Sequence, residues 1–230
     1  MSIAGSLEQV AATAARDLAG ASAHDVMRWA AETFGDRFCV LSSMADAVVV
    51  CLAAAARPGV DVVFLDTGYH FAETIGTRDA VAASYDVNVV TAVPEQTVAE
   101  QDAFHGKDLF ARDPDRCCAL RKVAPLDAAL AGYDAWATGI RRDESPTRAR
   151  TEVVEWDAKR RKIKINPIAR WSQADVDAYI AEHGILVNPL VEEGYLSIGC
   201  WPCTAKPAIS ADPRSGRWAG RTKTECGIHS

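Results

Sequence analysis

Seven cysteines in a chain of 230 residues invite thiol chemistry, and their spacing sorts them. Cys117 and Cys118 are adjacent, and Cys200 and Cys203 bracket Trp201-Pro202. Four thiolates hold either a zinc ion or an iron–sulfur cluster. An adjacent pair at one helix start points its sulfurs apart. That suits a multi-iron cluster better than a compact tetrahedral zinc, which usually takes two C-x-x-C knuckles; unligated thiols are the plain alternative. Lys122 follows Cys118 by four residues, close to one helical turn. Its ammonium then faces both that group and an anion, unless it is an ordinary solvated lysine. Cys226 lies in Thr224-Glu225-Cys226-Gly227-Ile228-His229-Ser230, a polar, terminal, exposed-looking setting. A thiolate is the reactive form, and a cation such as Lys223 or His229 would lower its pKa. A mobile tail with such a thiol would carry a nucleophile to a substrate and on to a partner; an incidental surface cysteine is the competing reading. Cys39 and Cys51 sit in apolar stretches and are expected in the core.

Charge adds a second pattern. The chain has 25 basic and 31 acidic residues, a net charge of −6. An acidic whole argues against a general nucleic-acid binder. Yet residues 205–230 hold five basic side chains (Lys206, Arg214, Arg217, Arg221, Lys223) against Asp212 and Glu225. Residues 141–150 hold four arginines (Arg141, Arg142, Arg148, Arg150) against Asp143 and Glu144. Guanidinium forks fit phosphate and sulfate oxygens. The run 159–162 reads as a solvated basic face.

These residues need elements to position them. Helices are expected at 7–18, at 24–34 with Ser22 as N-cap, at 45–56, 71–85, 95–104 and 117–131, the last bent or interrupted by Pro125. A further helix is expected at 172–183, capped by Ser172 with Asp175 at its third position. Strands are expected at 38–41, 60–65, 87–93 and 133–140, with a hairpin of 153–156 and 163–168 and a loop at 104–115. The tail after Asn188 is rich in Gly and Pro and too long for an ordinary connection, so it is functional or mobile.

Short buried strands alternating with helices predict an α/β fold, a mostly parallel sheet covered on both faces, with ligands beyond the carboxyl ends of its strands. Those ends carry Ser42-Ser43, Asp66-Thr67-Gly68 and Thr138 to Arg142, small or basic residues suited to a phosphate-bearing nucleotide. Ser42-Ser43-Met44-Ala45-Asp46 also reads as an anion site at a helix N-terminus, or as a plain N-cap; it lacks the Gly-Lys-Ser/Thr of a Walker loop. His70 reads as loop packing. A hydrophobic fraction of 49% and a charged fraction of 24% exclude a disordered or collagen-like chain. No apolar run approaches the roughly 20 residues of a bilayer span. Residues 1–16 show no export signal, so the odd cysteine count argues against a disulfide framework and a cytoplasmic location is expected.

Seven stretches carry a resemblance: FLDTGYHFAET (64–74), RCCALRKVAPL (116–126), TGIRRDESPTRA (138–149), KINPIARW (164–171), NPLVEEGYLSIGCWPCT (188–204), DPRSGRW (212–218) and KTECGIH (223–229). Together they resemble the assimilatory adenylyl-sulfate (adenosine 5′-phosphosulfate) reductases of the bacterial, cluster-bearing, thioredoxin-dependent type. The resemblance implies an adenine nucleotide alpha hydrolase-like sheet, with residues 1–187 as the nucleotide-binding domain and 188–230 as a segment of cluster ligands and mobile catalytic tail. It implies a 4Fe–4S cluster on Cys117, Cys118, Cys200 and Cys203, with Lys122 between cluster and substrate, and Cys226 as nucleophile. Arg214, Arg217 and His229 would hold the phosphosulfate, helped by Arg141 and Arg142. Ser42, Ser43, Leu65, Asp66, Thr67, Gly68 and Gly139 would line the nucleotide pocket. The implied partners are adenosine 5′-phosphosulfate and thioredoxin, or a glutaredoxin-like reductant; neither nucleic acid nor a membrane is expected, and a homo-oligomer is compatible.

One departure stands out: members often carry a glycine in the Ser-x-Gly-x-Asp segment, and here Met44-Ala45 fill it. Relatives lacking the cysteine pairs use the 3′-phosphorylated nucleotide, so a 3′-phosphoadenylyl-sulfate reductase is the alternative enzyme. A cluster- or zinc-stabilised nucleotide or redox sensor without turnover is an alternative of another class. An ATP-hydrolysing thiolation enzyme is a third, which the acidic surface does not favour.

Overall fold

The computed structural model describes residues 3–207 and 212–229, with side chains from residue 7 onward. The first two residues of the stretch read for an export signal, and Ser230 of the terminal motif, lie outside it.

Six strands form one sheet: β1 (Phe38–Leu41), β2 (Val60–Leu65), β3 (Val87–Ala92), β4 (Ala135–Thr138), β5 (Val154–Asp157) and β6 (Lys162–Ile165). Their order is β3-β2-β1-β4-β6-β5. All neighbours pair in parallel except the β5–β6 hairpin, which forms an antiparallel edge as expected. The order reverses between β1 and β4, where Leu41 pairs with Thr138. Their carboxyl ends therefore open the crevice in which such sheets bind ligands.

The helices are α1 (Ile3–Asp17), α2 (Ala23–Phe34), α3 (Val48–Ala56), α4 (Ala72–Ser84), α5 (Val98–His105), α6 (Leu109–Arg112), α7 (Pro114–Cys118), α8 (Ala124–Ala129), α9 (Gln173–His183) and α10 (Pro189–Glu192). Ser22 caps α2, and Ser172 with Asp175 closes a capping box on α9. Thr97 and Glu100 close another on α5, which starts at Val98 rather than 95. The expected loop at 104–115 holds the short α6.

Strand alternation splits the core. Phe38, Val40, Val62, Phe64, Ala135 and Ala137 face the side covered by α1, α2 and α3. Cys39, Leu41, Val63, Leu65 and Trp136 face the other, against Leu126 and Leu130, with Ile228 of the tail packed on them. Both faces are buried, which is why β1 is apolar without a break and β4 is apolar up to its last residue, Thr138. Cys39 is a core residue; Cys51 packs against the core half-buried.

Two expectations are corrected. The helix expected over 117–131 neither bends away nor stops at Pro125. Between α7 and α8 it widens into a π-turn over Ala119–Val123, where the Ala124 N–H reaches the Ala119 carbonyl. Pro125 has no N–H for the carbonyl of Arg121 and would clash with it in a regular helix; the wider turn accommodates both problems. Nor do Ser42 and Ser43 cap a helix. α3 begins only at Val48, whose N–H is taken by the Asp46 carboxylate at 2.9 Å. Between them Met44 adopts φ +58° with its side chain fully buried. This is the position where the family pattern has glycine, and a left-handed φ explains that preference. Asn188 holds the turn, donating to the Met44 carbonyl at 3.0 Å and to Thr74 Oγ1 at 3.2 Å.

Candidate active site

Cys117 and Cys118 sit at the end of α7, and Cys200 precedes a single 3₁₀ turn, Trp201–Cys203, that ends on Cys203. All four line one cavity with Arg121, Lys122 and Trp218. Their sequence separation is bridged by specific bonds. The Thr67 hydroxyl lies 3.2 Å from Cys200 Sγ while accepting the Tyr69 N–H. Its proton is thus available to the sulfur. The Trp201 N–H donates to the Tyr69 carbonyl at 2.8 Å. Buried Arg121 donates to the Thr67 carbonyl and, at 3.2 Å, to Gln101 Oε1. The turn after β2 is thereby tied both to the π-turn and to the second cysteine pair.

Gly68 in that turn has φ +72°, and a Cβ there would lie 3.0 Å from Val98 Cγ2 and 3.1 Å from Arg121 Nη2. Gly68→Ala is expected to destabilise the fold by about 1–2 kcal/mol, from left-handed strain plus displacement of Arg121, as read by denaturant unfolding.

Burial first, then the neighbouring Cys118, Cys200 and Cys203, push the Cys117 thiol up to about 12. Burial likewise raises Cys118 to about 11, and raises Cys203. Buried thiols resist ionisation unless a cation binds them, and a metal ion supplies that charge. Among the described residues no three His, Cys, Asp or Glu side chains are grouped closely enough for a single metal ion. Tetrahedral zinc would need its sulfurs about 3.8 Å apart. Four thiols lining one cavity are a soft donor set of the kind that iron and zinc both take. The buried Trp218 Nε1, which has no hydrogen-bond partner, adds a free donor at the same cavity. Trp218 also keeps φ +48°, an unusual conformation for a tryptophan.

Cys226 is not exposed, contrary to expectation. It is buried beside Cys118 and Trp218. Burial pushes its thiol up, but the Lys122 ammonium, the Ile228 N–H and the Arg217 guanidinium outweigh that, and its pKa falls below the ordinary value. The two cations expected to do this do not. Lys223 pairs with Asp115 and lies over the Trp218 ring. His229 is held neutral, well below its ordinary pKa, by burial and then by Arg148, Lys164, Arg214 and Arg160 around it. The described part of the tail is also packed rather than loose: Ile228 sits in the apolar cluster under the sheet, and His229 stacks on Trp136 with ring centroids 6.1 Å apart. Its polar sequence hides one apolar anchor and one neutral ring.

The basic residues divide. Arg217 donates to the carbonyls of Cys203 (3.3 Å) and Ile198 (3.4 Å), strapping the second cysteine pair. Arg214 donates to Glu225 and to the Thr224 carbonyl, while its buried Nε and His229 Nδ1 have no partner. Arg141 and Arg142 are not brought to the thiols. Arg141 is engaged by Asp143 and Gln173, and Arg142 by the Thr151 carbonyl and Glu152. Ser42 Oγ accepts the Met44 N–H at 3.2 Å, Ser43 is exposed, and the Asp66 carboxylate accepts the Gly68 N–H at 3.0 Å. Leu65 is buried, and Gly139 at the end of β4 lies against Val49, where a Cβ would come within 3.2 Å. His70 packs on Phe64 and contacts the Leu65 carbonyl, as expected of a loop histidine. Sequence reasoning did not single out Arg121, Trp136, Trp218 or Glu225; Arg121 and Glu225 each adjoin a residue it did single out.

A doubly covered, mostly parallel sheet with four thiols and a separate activated thiol beside its switch point defines an α/β protein built for sulfur chemistry. The model of the phosphoadenosine phosphosulfate reductase domain matches residues 37–206, and the chain belongs to that family. It is 66% identical to the adenosine 5′-phosphosulfate reductase of Streptomyces coelicolor, over 97% of this chain and 94% of that one. It is 63% identical to the enzyme of that name from Mycolicibacterium smegmatis, again over 97% and 94%. A crystal structure of phosphoadenylyl-sulfate reductase from Candida auris, a phosphate complex, superimposes with a TM-score of 0.72 at 30% identity, covering 85% of this chain and 96% of that one. No helix among the described residues is long and apolar enough to cross a membrane.

Proposed function

We propose that this chain reduces adenosine 5′-phosphosulfate to sulfite and AMP with electrons from thioredoxin. The observation that carries the reading is the setting of Cys226, a buried thiol with a lowered pKa beside Lys122 and packed with Cys118 and Cys203. Relatives that carry the corresponding name at 66% and 63% identity support it.

The Cys226 thiolate attacks the sulfonyl sulfur of the nucleotide. An S–S bond forms, the S–O bond to the 5′-phosphate breaks, and AMP leaves with that electron pair, giving a Cys226 S-sulfonate. A thioredoxin thiolate then attacks Cys226 Sγ, and sulfite leaves with the electron pair of the S–S bond. The second thioredoxin thiol resolves the mixed disulfide and restores Cys226. The dithiol supplies both electrons by which sulfur is reduced.

Lys122 would neutralise charge on the departing phosphate. Arg214 and Arg217, with His229 and helped by Arg141 and Arg142, would hold the phosphosulfate; the unpartnered Arg214 Nε and His229 Nδ1 favour this for two of them. Ser42, Ser43, the turn from Leu65 to Gly68 and Gly139 would line the nucleotide pocket at the switch point. Residues 1–187 would act as the nucleotide-binding part, and 188–230 would bring in ligands and nucleophile as one unit with it. Cys117, Cys118, Cys200 and Cys203 would hold a 4Fe–4S cluster, which when bound supplies fixed charge beside Lys122. Chemistry that needs Cys226 and the four other thiols unoxidised favours a compartment that keeps thiols reduced, the cytoplasm.

Intact-mass measurement after mixing with adenosine 5′-phosphosulfate tests the whole reading. One sulfonate on Cys226, removed by reduced thioredoxin, is expected; an unmodified protein would sink it and favour a sensor without turnover. The 3′-phosphorylated nucleotide is the alternative substrate, supported by the 30% identical Candida auris relative. Steady-state kinetics with both are expected to favour the unphosphorylated form by about 10- to 100-fold in kcat/KM, since a buried 3′-phosphate without a partner costs about 1–3 kcal/mol.

A further inference from the structure

Glu225, the residue before Cys226, is the most heavily engaged carboxylate near the tail. Its Oε1 accepts from Arg148 Nε at 2.9 Å and from Thr147 Oγ1 at 3.2 Å. Its Oε2 accepts from Arg148 Nη2 at 2.9 Å and from Arg214 Nη2 at 3.1 Å. The pairing with Arg148 is thus bidentate, the geometry in which a guanidinium fork holds a carboxylate best. Arg148 is anchored in turn: its Nη1 donates to Glu144 Oε2 at 2.6 Å, and the same oxygen accepts the Arg141 N–H at 2.8 Å. Arg148 belongs to the turn Pro146–Arg148 that follows β4. The tail is therefore tied by charge to the carboxyl end of the sheet.

The side chains of Arg148 and Arg214 are only 10% and 12% exposed, and that of Glu225 24%. Screening by solvent is weak there, unlike at an ordinary surface pair. On the far side of Cys226 the hold is apolar, through Ile228 and the His229–Trp136 stack. Gly227 between them has φ +83°, a turn that lets both holds act on one short segment.

We propose that Glu225 is the positioning residue of the tail, an ionic latch onto Arg148 and Arg214 that fixes Cys226 beside Lys122. It rests on the reading of Cys226 as nucleophile, but the latch acts on the tail whether or not that chemistry occurs. Without the Glu225 charge Arg148 keeps only Glu144 and the largely buried Arg214 loses its carboxylate, so the segment is left with the Lys223–Asp115 pair, the Arg214 bond to the Thr224 carbonyl and the apolar hold. Arg214 joins latch and anion site, because its Nη2 is engaged by Glu225 while its Nε is unpartnered.

The test uses the full chain without nucleotide and reads the tail directly. Glu225→Gln is isosteric and uncharged. Hydrogen exchange of the amides in 222–229 is expected to speed up about tenfold, and iodoacetamide labelling of Cys226, followed by peptide mass, to rise by a similar factor. Glu225→Asp keeps the charge on a shorter arm and is expected to fall between, which also covers poor folding of the Gln variant. Exchange within twofold of the unaltered chain in both variants would overturn the proposal. So would faster labelling with unchanged exchange, which marks a purely electrostatic effect on the thiol. Failure of the nucleotide to form an S-sulfonate would leave both readouts untouched.

Discussion

Cys226→Ser is expected to release no measurable sulfite and to gain no sulfonate on mixing with adenosine 5′-phosphosulfate, a loss on the order of 10⁴-fold or more. A serine hydroxyl in the same place is not ionised near neutral pH, and the base that would have to activate it is missing: His229 is stacked under the sheet on Trp136 rather than turned to Cys226. The variant keeps the packing of the buried site, since one chalcogen replaces another and Ile228 and Glu225 still hold the segment. Its unfolding midpoint should therefore stay close to that of the unaltered chain while turnover vanishes. Turnover by the serine variant at more than about a hundredth of the normal rate would remove Cys226 from the chemistry.

The second large effect falls on Lys122. Its ammonium is the strongest of the groups that pull the Cys226 thiol down against burial. Lys122→Met keeps the unbranched apolar stem, one atom shorter, and removes the charge. The thiol then feels burial with only the Ile228 N–H and Arg217 to offset it, so its pKa rises. Below its pKa the sulfur is protonated and inert, so the acid limb of the pH–rate profile moves to higher pH. The deficit in kcat/KM is greatest at low pH and shrinks as pH rises past the new thiol pKa. A remainder of about 10²- to 10³-fold persists at high pH, because the departing phosphate has also lost its cation. An unmoved acid limb would show that Lys122 does not face the thiol in solution. A limb that moves while the high-pH rate recovers fully would confine Lys122 to activating the nucleophile.

Much of this site was legible in the sequence because its signals are local. Apolar runs of four to six residues and their caps define the strands and helices. Each cysteine pair is held by its own local turn, Cys117-Cys118 with Lys122 by a helix and Cys200 to Cys203 by a 3₁₀ turn. Where local signals ran out, so did the reading. A polar, glycine-rich terminus looks exposed, yet the cation that acts on Cys226 comes from position 122, and the charges that hold Glu225 from 148 and 214. Arginine types at 141 and 142 are visible in a sequence, and the carboxylates and carbonyls that engage them are not. Met44 looked like a defect in a phosphate loop; the structure makes it a buried left-handed residue pinned by Asn188.

The sequence by itself determined that this is a doubly covered α/β chain with two cysteine pairs and one odd thiol, since those follow from periodicity, spacing and residue type. Only the tertiary structure decided that β1 lies beside β4, so that the turn after β2, the π-turn of 119–123 and the tail converge at one end of the sheet. It alone decided that His229 is neutral and Lys122 is the partner of Cys226. The physical reason is range. Hydrogen-bonding periodicity acts over a few residues and leaves its mark in the order of the letters. Burial and Coulomb interactions depend on distance through space, and no spacing in the chain records that a residue 104 positions before Cys226 stands beside it.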